Sequence, residues 1–516
     1  MMRKILPLLL LAVCVTMQAE RRPLSLTDSL HYKVEMQATL SSGDHTPLWL
    51  NANRYGLSSL EKTNGYLRAA VERPLSASDG QKWALGYGLD IAGAYHFTSK
   101  AIVQQAYVEG RWLKGVLTIG AKQQPMELKN QELSSGSQTL GINARPIPQV
   151  RVALADYWTI PYTRGWLSIK GHIAYGMQTD DRWQKDFTQQ QSRYTEHSLY
   201  HSKAGYLKIG KEDGWYPVSL ELGLEMACQF GGTTYAVGGT DSPQIVNDHS
   251  LKSFWHALIP LGTDTNDGIY TNAEGNHLGS WLMRLNFDFD RWYLGLYADH
   301  FFEDNSGMIH VSYAGYGEGD EWNVKKNKRY FVHSFKDWLL GVDLKLKQAT
   351  WLNNLVAEFM YTKYQGGPLY HDKTPYNNEH ICGRDNFYNH HLFTGWQHWG
   401  QVMGNPLYRS PLYNEDGTIC VLNNRFVVWH LGLAGNPFTR LHYRFLATWQ
   451  RSFGTYNDLF RDPQETVSVM GEASYQFAKG WLVKGAVGFD TGKTYGNNFG
   501  CQLTVTKTGL LKLKRK

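Results

Sequence analysis

Much of the chain alternates apolar and polar residues with a period of two. Leu167, Ile169, Ile173 and Tyr175 fall on one face, with Ser168, Lys170 and His172 on the other. Val218, Leu220, Leu222 and Leu224 alternate with Ser219, Glu221, Gly223 and Glu225. The same pattern recurs in Trp281 to Asp290, Leu340 to Lys347, Leu441 to Gln450, Val467 to Gln476 and Phe499 to Thr506. Each predicts a strand with one apolar face and one face carrying full charges such as Glu221, Arg284, Asp343 and Arg444. The runs exceed the ~5–6 residues usual in soluble strands and match the ~9–11 of a strand tilted across a bilayer. Similar runs near 65–73, 83–95, 101–120, 149–158, 204–210, 292–302, 353–363 and 426–434 bring the total to roughly 16–18 strands. Aromatic residues at run ends (Trp166, Trp281, Trp292, Tyr475, Trp481) fit interfacial girdles. The predicted fold class is therefore all-β, a transmembrane antiparallel β-barrel.

The flanks are organised differently. Arg3 and Lys4, the apolar run Ile5 to Val15 and Ala19 before Glu20 form a secretory leader over residues 1–19. Cys14 offers a lipoprotein alternative, though Val13 is bulky for that cleavage. No later stretch reaches the ~20 apolar residues of a spanning helix. Residues 20–64 lack a clean period and are expected as a small periplasmic or plug segment, with a first strand near Val34 to Leu40 as the alternative. The barrel is placed at 65–506 and a basic tail at 507–516. Long gaps at about 121–148, 228–280 and 364–425 are expected as external loops.

Charge and composition narrow the function. Lys+Arg number 52 and Asp+Glu 46, a net charge of +6, too balanced for a nucleic-acid binder. The chain holds 51 Gly but only 17 Pro, and 14% of it is aromatic, which excludes a disordered composition. Surface sugar binding would use aromatic faces for stacking and Arg, His and amide groups for hydroxyls and carboxylates. The 364–425 region holds such a set: Tyr370, His371, Arg384, Asn386, Tyr388, Trp396, His398 and Trp399. The competing reading is a loop packing its own aromatics over the barrel. Arg145 and Arg164 are expected to put charge in the lumen, either against acidic glycan or paired with inward carboxylates. Cys382 and Cys420, both in the long loop region, are candidates for a disulfide. Cys228 and Cys501 fall on apolar faces and are read as small lipid-facing side chains.

Other motifs fail on spacing. The loop histidines lack a carboxylate or Cys at a metal-ligand spacing. Asp264 to Gly268 is too compact for a calcium loop. Gly488 to Thr494 has too few residues between its glycines for a phosphate loop and ends a strand. No G-x-S-x-G or H-E-x-x-H occurs. No catalytic residues, metal or cofactor are expected.

Several blocks carry a family resemblance. They include Thr46-Pro47-Leu48-Trp49-Leu50 with Asn53-Arg54-Tyr55-Gly56, the run Gly141 to Val150, Ile160 to Trp166, Tyr200 to Lys203, Gly404 to Leu407, Asn424-Arg425, His430 to Gly432 and Gly454 to Tyr456. In order and spacing these resemble the capsule assembly Wzi family in its Bacteroidetes-type form, over nearly the whole mature chain. The resemblance implies about eighteen strands with an N-terminal periplasmic helical element. It also implies a non-enzymatic outer-membrane lectin that attaches capsular or surface polysaccharide, and the chain is expected to be monomeric. A porin-like or substrate-specific uptake channel is the alternative, since the same strand pattern serves both. The basic end Leu510 to Lys516 departs from the terminal aromatic of many such barrels, and the last strand is expected to stop near Thr506.

Overall fold

The computed structural model describes residues 29–511, apart from 79–81, 212–215, 237–243, 261–272, several stretches between 304 and 335, and 368–383. An 18-stranded antiparallel sheet closes on itself. In chain order the strands are β1 Leu30–Gly43, β2 Thr63–Arg73, β3 Trp83–Tyr95, β4 Ala101–Trp112, β5 Gly115–Ala121 and β6 Gln149–Thr159. Then follow β7 Leu167–Met177, β8 Leu199–Ile209, β9 Val218–Phe230, β10 Asn276–Asp288, β11 Trp292–Glu303 and β12 Trp338–Leu346. The last six are β13 Asn354–Tyr361, β14 Phe426–Phe438, β15 Leu441–Gly454, β16 Leu459–Ala478, β17 Trp481–Gly492 and β18 Asn498–Leu511. Each pairs with its chain neighbour, and β1 pairs with β18 along its whole length, from Leu30 opposite Leu511 to Gly43 opposite Asn498.

Two boundaries differ from the sequence reading. Leu30–Gly43 is a wall strand rather than part of a separate 20–64 segment, and β18 runs past Thr506 to Leu511. The reason is mutual: each strand is the edge that the other satisfies, and closure leaves no unpaired row of N–H and C=O groups. The leader (1–19) and 512–516 lie outside the described residues.

Outward positions form an apolar belt. Met36, Leu67, Leu89, Val103, Leu117, Ile173, Leu222, Met283, Val487 and Leu503 are all exposed. Inward neighbours such as Gln37, Asp90, Glu225, Arg284, Asp343 and Glu358 are buried and polar. Apolar outside and polar inside is the surface of a transmembrane barrel. Among the described residues no helix is long and apolar enough to cross a membrane. Connections at one end are as short as the pair between Phe438 and Leu441, whereas the other end carries the long segments. The short-turn end is accordingly the periplasmic one.

An eighteen-strand lumen is too wide for side chains alone to fill. Here three segments from the long-loop end fold into it. Residues 44–62 contribute a helical turn, Leu48–Asn51, whose Leu48 N–H donates to Asp490 Oδ2 (2.9 Å) and whose Trp49 Nε1 donates to Thr448 Oγ1 (3.1 Å). Residues 122–148 are held by the buried ion pair Lys129–Asp299 (2.6 Å) and by Glu358, which accepts from Ser134 Oγ (2.6 Å) and Ser135 N (2.8 Å). Residues 384–425 are held by Glu303, which accepts from Tyr388 N (3.0 Å), and by Gln450, which donates to the Leu407 carbonyl (3.0 Å). Plug and wall share one core, which joins Leu48, Trp49 and Leu133 to Phe301, Phe387, Trp396, Tyr408 and Phe426.

The segments also hold one another. Gly56 N donates to the Asn143 carbonyl (2.8 Å), and Asn143 Nδ2 donates to the Val402 carbonyl (3.0 Å). Gly56 has φ +69°, and a Cβ there would lie 2.5 Å from Arg145 N, so only glycine admits this crossing. The charges inside the barrel thus serve largely as plug anchors. Cavities remain, one of about 440 Å³ near the short-turn ends of β1, β2 and β18.

Two predictions follow from this architecture. Leu222 faces lipid near the middle of β9 and Val218 faces it at the short-turn end. Leu222→Arg should cost about 2–4 kcal/mol in denaturant titrations of the vesicle-embedded chain, and Val218→Arg no more than about 1 kcal/mol. Asp337 accepts the Tyr364 N–H (2.9 Å) and Gln365 N–H (2.8 Å) at the start of the long segment after β13. Burial pushes its carboxyl up to about 7, against the opposing pull of those N–H groups and Arg425. The folded chain therefore keeps a proton that the unfolded chain has already lost. Stability contributed here falls as pH rises from about 4 to about 7. Hydrogen exchange at Tyr364 and Gln365 should be slower at pH 5 than at pH 8 after correction for intrinsic rates, and Asp337→Asn should abolish that difference.

Candidate functional site

The mouth of the barrel is built where 178–198, 122–148 and 384–425 meet. Asp180 is fully buried just before the helix Asp181–Thr188. Its Oδ2 accepts from Gln397 Nε2 (3.0 Å) and Trp399 N (3.0 Å), and its Oδ1 from Gln184 Nε2 (3.1 Å). One carboxylate thus fixes the Gln397 to Trp399 stretch against the 178–198 segment. His398 sits beside it. Its Nε2 accepts the Thr179 N–H (3.2 Å), so the ring proton is on Nδ1 and is donated to the Arg145 carbonyl (2.9 Å). Burial holds this imidazole below the ordinary histidine range, although Asp180 pulls the other way. His398 is a neutral brace, not a titrating ligand.

Arg145 is 7% exposed and sits with its guanidinium 4.4 Å over the Trp399 ring. Its Nη2 donates to Thr98 Oγ1 (2.6 Å). Burial pushes it down to about 10, with Asp180 opposing. Trp399 is half-buried and donates Nε1 to Thr179 Oγ1 (3.3 Å). Its left-handed backbone, φ 56°, turns the indole onto Arg145.

Below this point a cavity of about 270 Å³ lies between the plug and the wall of β5–β8. Lys122, Arg145, Arg151 and Lys170 line it beside Glu127, Glu225 and the tyrosines Tyr55, Tyr200 and Tyr206. Among the described residues neither Arg145 nor Arg151 has an ion-pair partner, whereas Lys122 pairs with Glu109 and Lys170 with Glu127. The cavity carries a surplus of positive charge.

The aromatic loop set separates into three groups. Tyr388, Trp396 and His398 are at most 1% exposed and belong to the plug core, so they cannot meet a glycan at the surface. The Tyr388 hydroxyl donates to the Gln138 carbonyl and accepts the Asn405 N–H (3.0 Å), and its ring packs 4.0 Å from that of Tyr408. Trp396 lies 6.0 Å from Tyr200. Asn386 organises a turn by accepting from Asn389 Nδ2 (3.1 Å) and Asn424 Nδ2 (2.6 Å). Among the described residues of the set, Arg384 is exposed, and Asn386 and Trp399 are half-buried. Arg384 Nη2 donates to Asn457 Oδ1 (3.0 Å) on the β15–β16 loop. Beside it, Arg425 lies 3.8 Å over the half-buried Tyr456 ring. This rim was missed because Arg425, Tyr456 and Asn457 stand outside any aromatic cluster in the sequence. Tyr370, His371 and Cys382 lie outside the described residues.

The two arginines expected in the lumen also part company. Arg145 is inside, as described. Arg164 is exposed in the 160–166 turn at the short-turn end, in a left-handed conformation, because β6 already ends at Thr159. Cys420 is half-buried and Cys501 exposed on the lipid face, but Cys228 is fully buried.

Comparison with known proteins adds the family. The model of the family described as capsule assembly protein Wzi matches residues 37–319, more than half the chain. No curated protein matches the sequence. Among solved structures, the Escherichia coli outer-membrane protein Wzi, described as involved in group 1 capsule assembly and as a carbohydrate-binding β-barrel, is 14% identical. Its alignment covers 93% of this chain and 85% of that one, with a TM-score of 0.55. OprD of Pseudomonas aeruginosa is 9% identical over 93% of this chain and 94% of that one, with a TM-score of 0.44. The chain belongs to the Wzi capsule assembly family.

Proposed function

We propose that this chain is a non-enzymatic, lectin-like protein of the outer membrane that holds capsular or other surface polysaccharide at the cell surface. The observation that carries this reading is the filled lumen. Three segments are anchored to the wall by buried carboxylates, and their side chains share a core with it. A barrel corked in this way serves as a rigid platform rather than a conduit. The family membership and the carbohydrate-binding description of the Escherichia coli relative support the same reading.

The surface that would meet sugar is the mouth rim. Arg384 and Asn457 offer hydrogen bonds, and Trp399 and Tyr456 offer ring faces. Arginine at the rim favours an acidic polysaccharide, whose uronate or phosphate groups it can bind with two N–H groups at once. The protein acts as a monomer surrounded by lipid, with no cofactor and no nucleic acid.

The test is deletion of the gene, followed by measurement of cell-bound and shed polysaccharide. Loss of retention is expected, restored by the parent chain and only partly by Arg384→Ala/Trp399→Ala. Unchanged retention after deletion would refute the capsule role. Conductance of the purified chain in planar bilayers should stay near zero, and a steady open conductance would favour the uptake channel instead.

A further inference from the structure

The outer wall breaks its own rule at one place. In antiparallel sheets, directly paired residues face the same side. Tyr175 on β7 pairs with His201 on β8, which pairs with Cys228 on β9, which pairs with His277 on β10. Two residues nearer the short-turn end, the row Ile173, Lys203, Met226 and Gly279 follows. Ile173 is exposed, as are Leu222 and Met283 at the same parity on β9 and β10, so both rows face outward. Positions that should meet lipid therefore carry two histidines, a thiol and a lysine.

The helix Leu251–Leu258 covers them. The Tyr175 hydroxyl donates to the Phe254 carbonyl (2.7 Å), and the Phe254 ring packs against Tyr175 (5.3 Å) and Phe230 (5.1 Å). Lys203 Nζ donates to the carbonyls of Ala257 (3.2 Å) and Leu258. A cation is thus spent on the last carbonyls of the helix, where the helix dipole favours it. His256 Nδ1 meets Glu274 Oε2 (2.6 Å), and His277 Nε2 donates to the Glu274 carbonyl (2.9 Å). Cys228, expected on the lipid face, is buried under this helix with Ala257 and Phe230. An eight-residue helix has little stability of its own, so these wall contacts hold it.

The opposite side of the helix is apolar and exposed. Leu251 is 85% exposed, Trp255 54% and Ile259 41%. Their spacing of four residues places them in one stripe. The stripe is continuous with the apolar belt, since Ile173 lies two residues below Tyr175 on the same strand. Lys252 is exposed on the flank, matching the phosphates of lipid headgroups. The covered rows lie toward the long-loop ends of β7–β10, about one membrane crossing from the aromatic residues Trp166, Tyr216 and Trp292 at the opposite end.

We propose that Leu251–Leu258 is an interfacial helix bound to the outer wall of the barrel, with Leu251, Trp255 and Ile259 seated in the outer leaflet and in contact with lipid. A helix with one apolar and one polar face lies in the plane of the interface at this depth. It lets the wall bury polar residues where a bare strand would expose them to lipid.

The test is site-directed spin labelling of the full chain in phosphatidylcholine–phosphatidylglycerol vesicles. The accessible native cysteines are first replaced by alanine. Leu251→Cys and Trp255→Cys are then labelled and compared with Leu222→Cys on the lipid belt and Asp416→Cys in an external loop. Labels at 251 and 255 should collide with oxygen in preference to a water-soluble nickel chelate, as at 222. A preference for the nickel chelate, as at 416, would overturn the proposal. Protection from both reagents would also overturn it, by showing a protein surface in place of lipid. Folding of each variant is checked by the heat-dependent shift in electrophoretic mobility. Where a cysteine variant lacks that shift, quenching by lipids with brominated acyl chains is compared between the parent chain and Trp255→Phe. A smaller quenched fraction in Trp255→Phe supports lipid contact, and an unchanged one refutes it.

Discussion

Everything inside this barrel depends on carboxylates that point inward from the wall. Closing eighteen strands leaves a space that side chains cannot fill, and the chain fills it with its own loops. A loop brought into a closed space carries backbone N–H groups that water no longer reaches, and each needs an acceptor. Asp490, Glu358 and Glu303 supply acceptors for Leu48, Ser135 and Tyr388. Asp299 neutralises the buried Lys129 of the plug and accepts from the Gln138 amide (3.1 Å). A lumen lined with acidic residues looks like a channel when it is read strand by strand. With the loops in place, the same residues are the sockets of a cork.

That division also marks what could be read from the sequence. Strands of a membrane barrel are legible because two different solvents meet their two faces, so Leu222 and Glu221 differ in kind. The mean hydropathy of −0.42 is compatible with a membrane home for the same reason, since only every second strand residue meets lipid. The plug has no such two-solvent pattern. Its residues are buried on all sides, so the aromatics of 384–425 look equally like a sugar-binding mouth and like a core. Tyr388 and Trp396 turned out to be core, and Trp399 alone of the three tops a surface.

Ends and exceptions were less legible, each for a local reason. Val34, Met36, Ala38 and Leu40 show the strand period, but only β18 on the far side of the seam makes that stretch a wall. Arg164 resembles an inward charge until the length of β6 is known. Cys228 sits on an outward parity and yet never meets lipid, because a helix from the loop that follows its strand covers it. In each case the three-dimensional setting of the residue overrides the local pattern.

The seam between β1 and β18 bears on how the molecule comes together. Residues at the two ends of the chain are each other's partners, so an enclosed interior does not exist until the final strand arrives. The first part of the first inward segment, residues 44–49, is fastened to that late material, whereas Asn53, Tyr55 and Gly56 hold to 124–143. Asp44 and His45 donate to Asn498, Leu48 to Asp490 and Trp49 to Thr448. The docking sites of 44–49 are therefore among the last parts of the protein to be delivered. Sealing the cylinder and seating its first stopper become a single late step, and an incompletely assembled chain is left open along its side and empty at its centre.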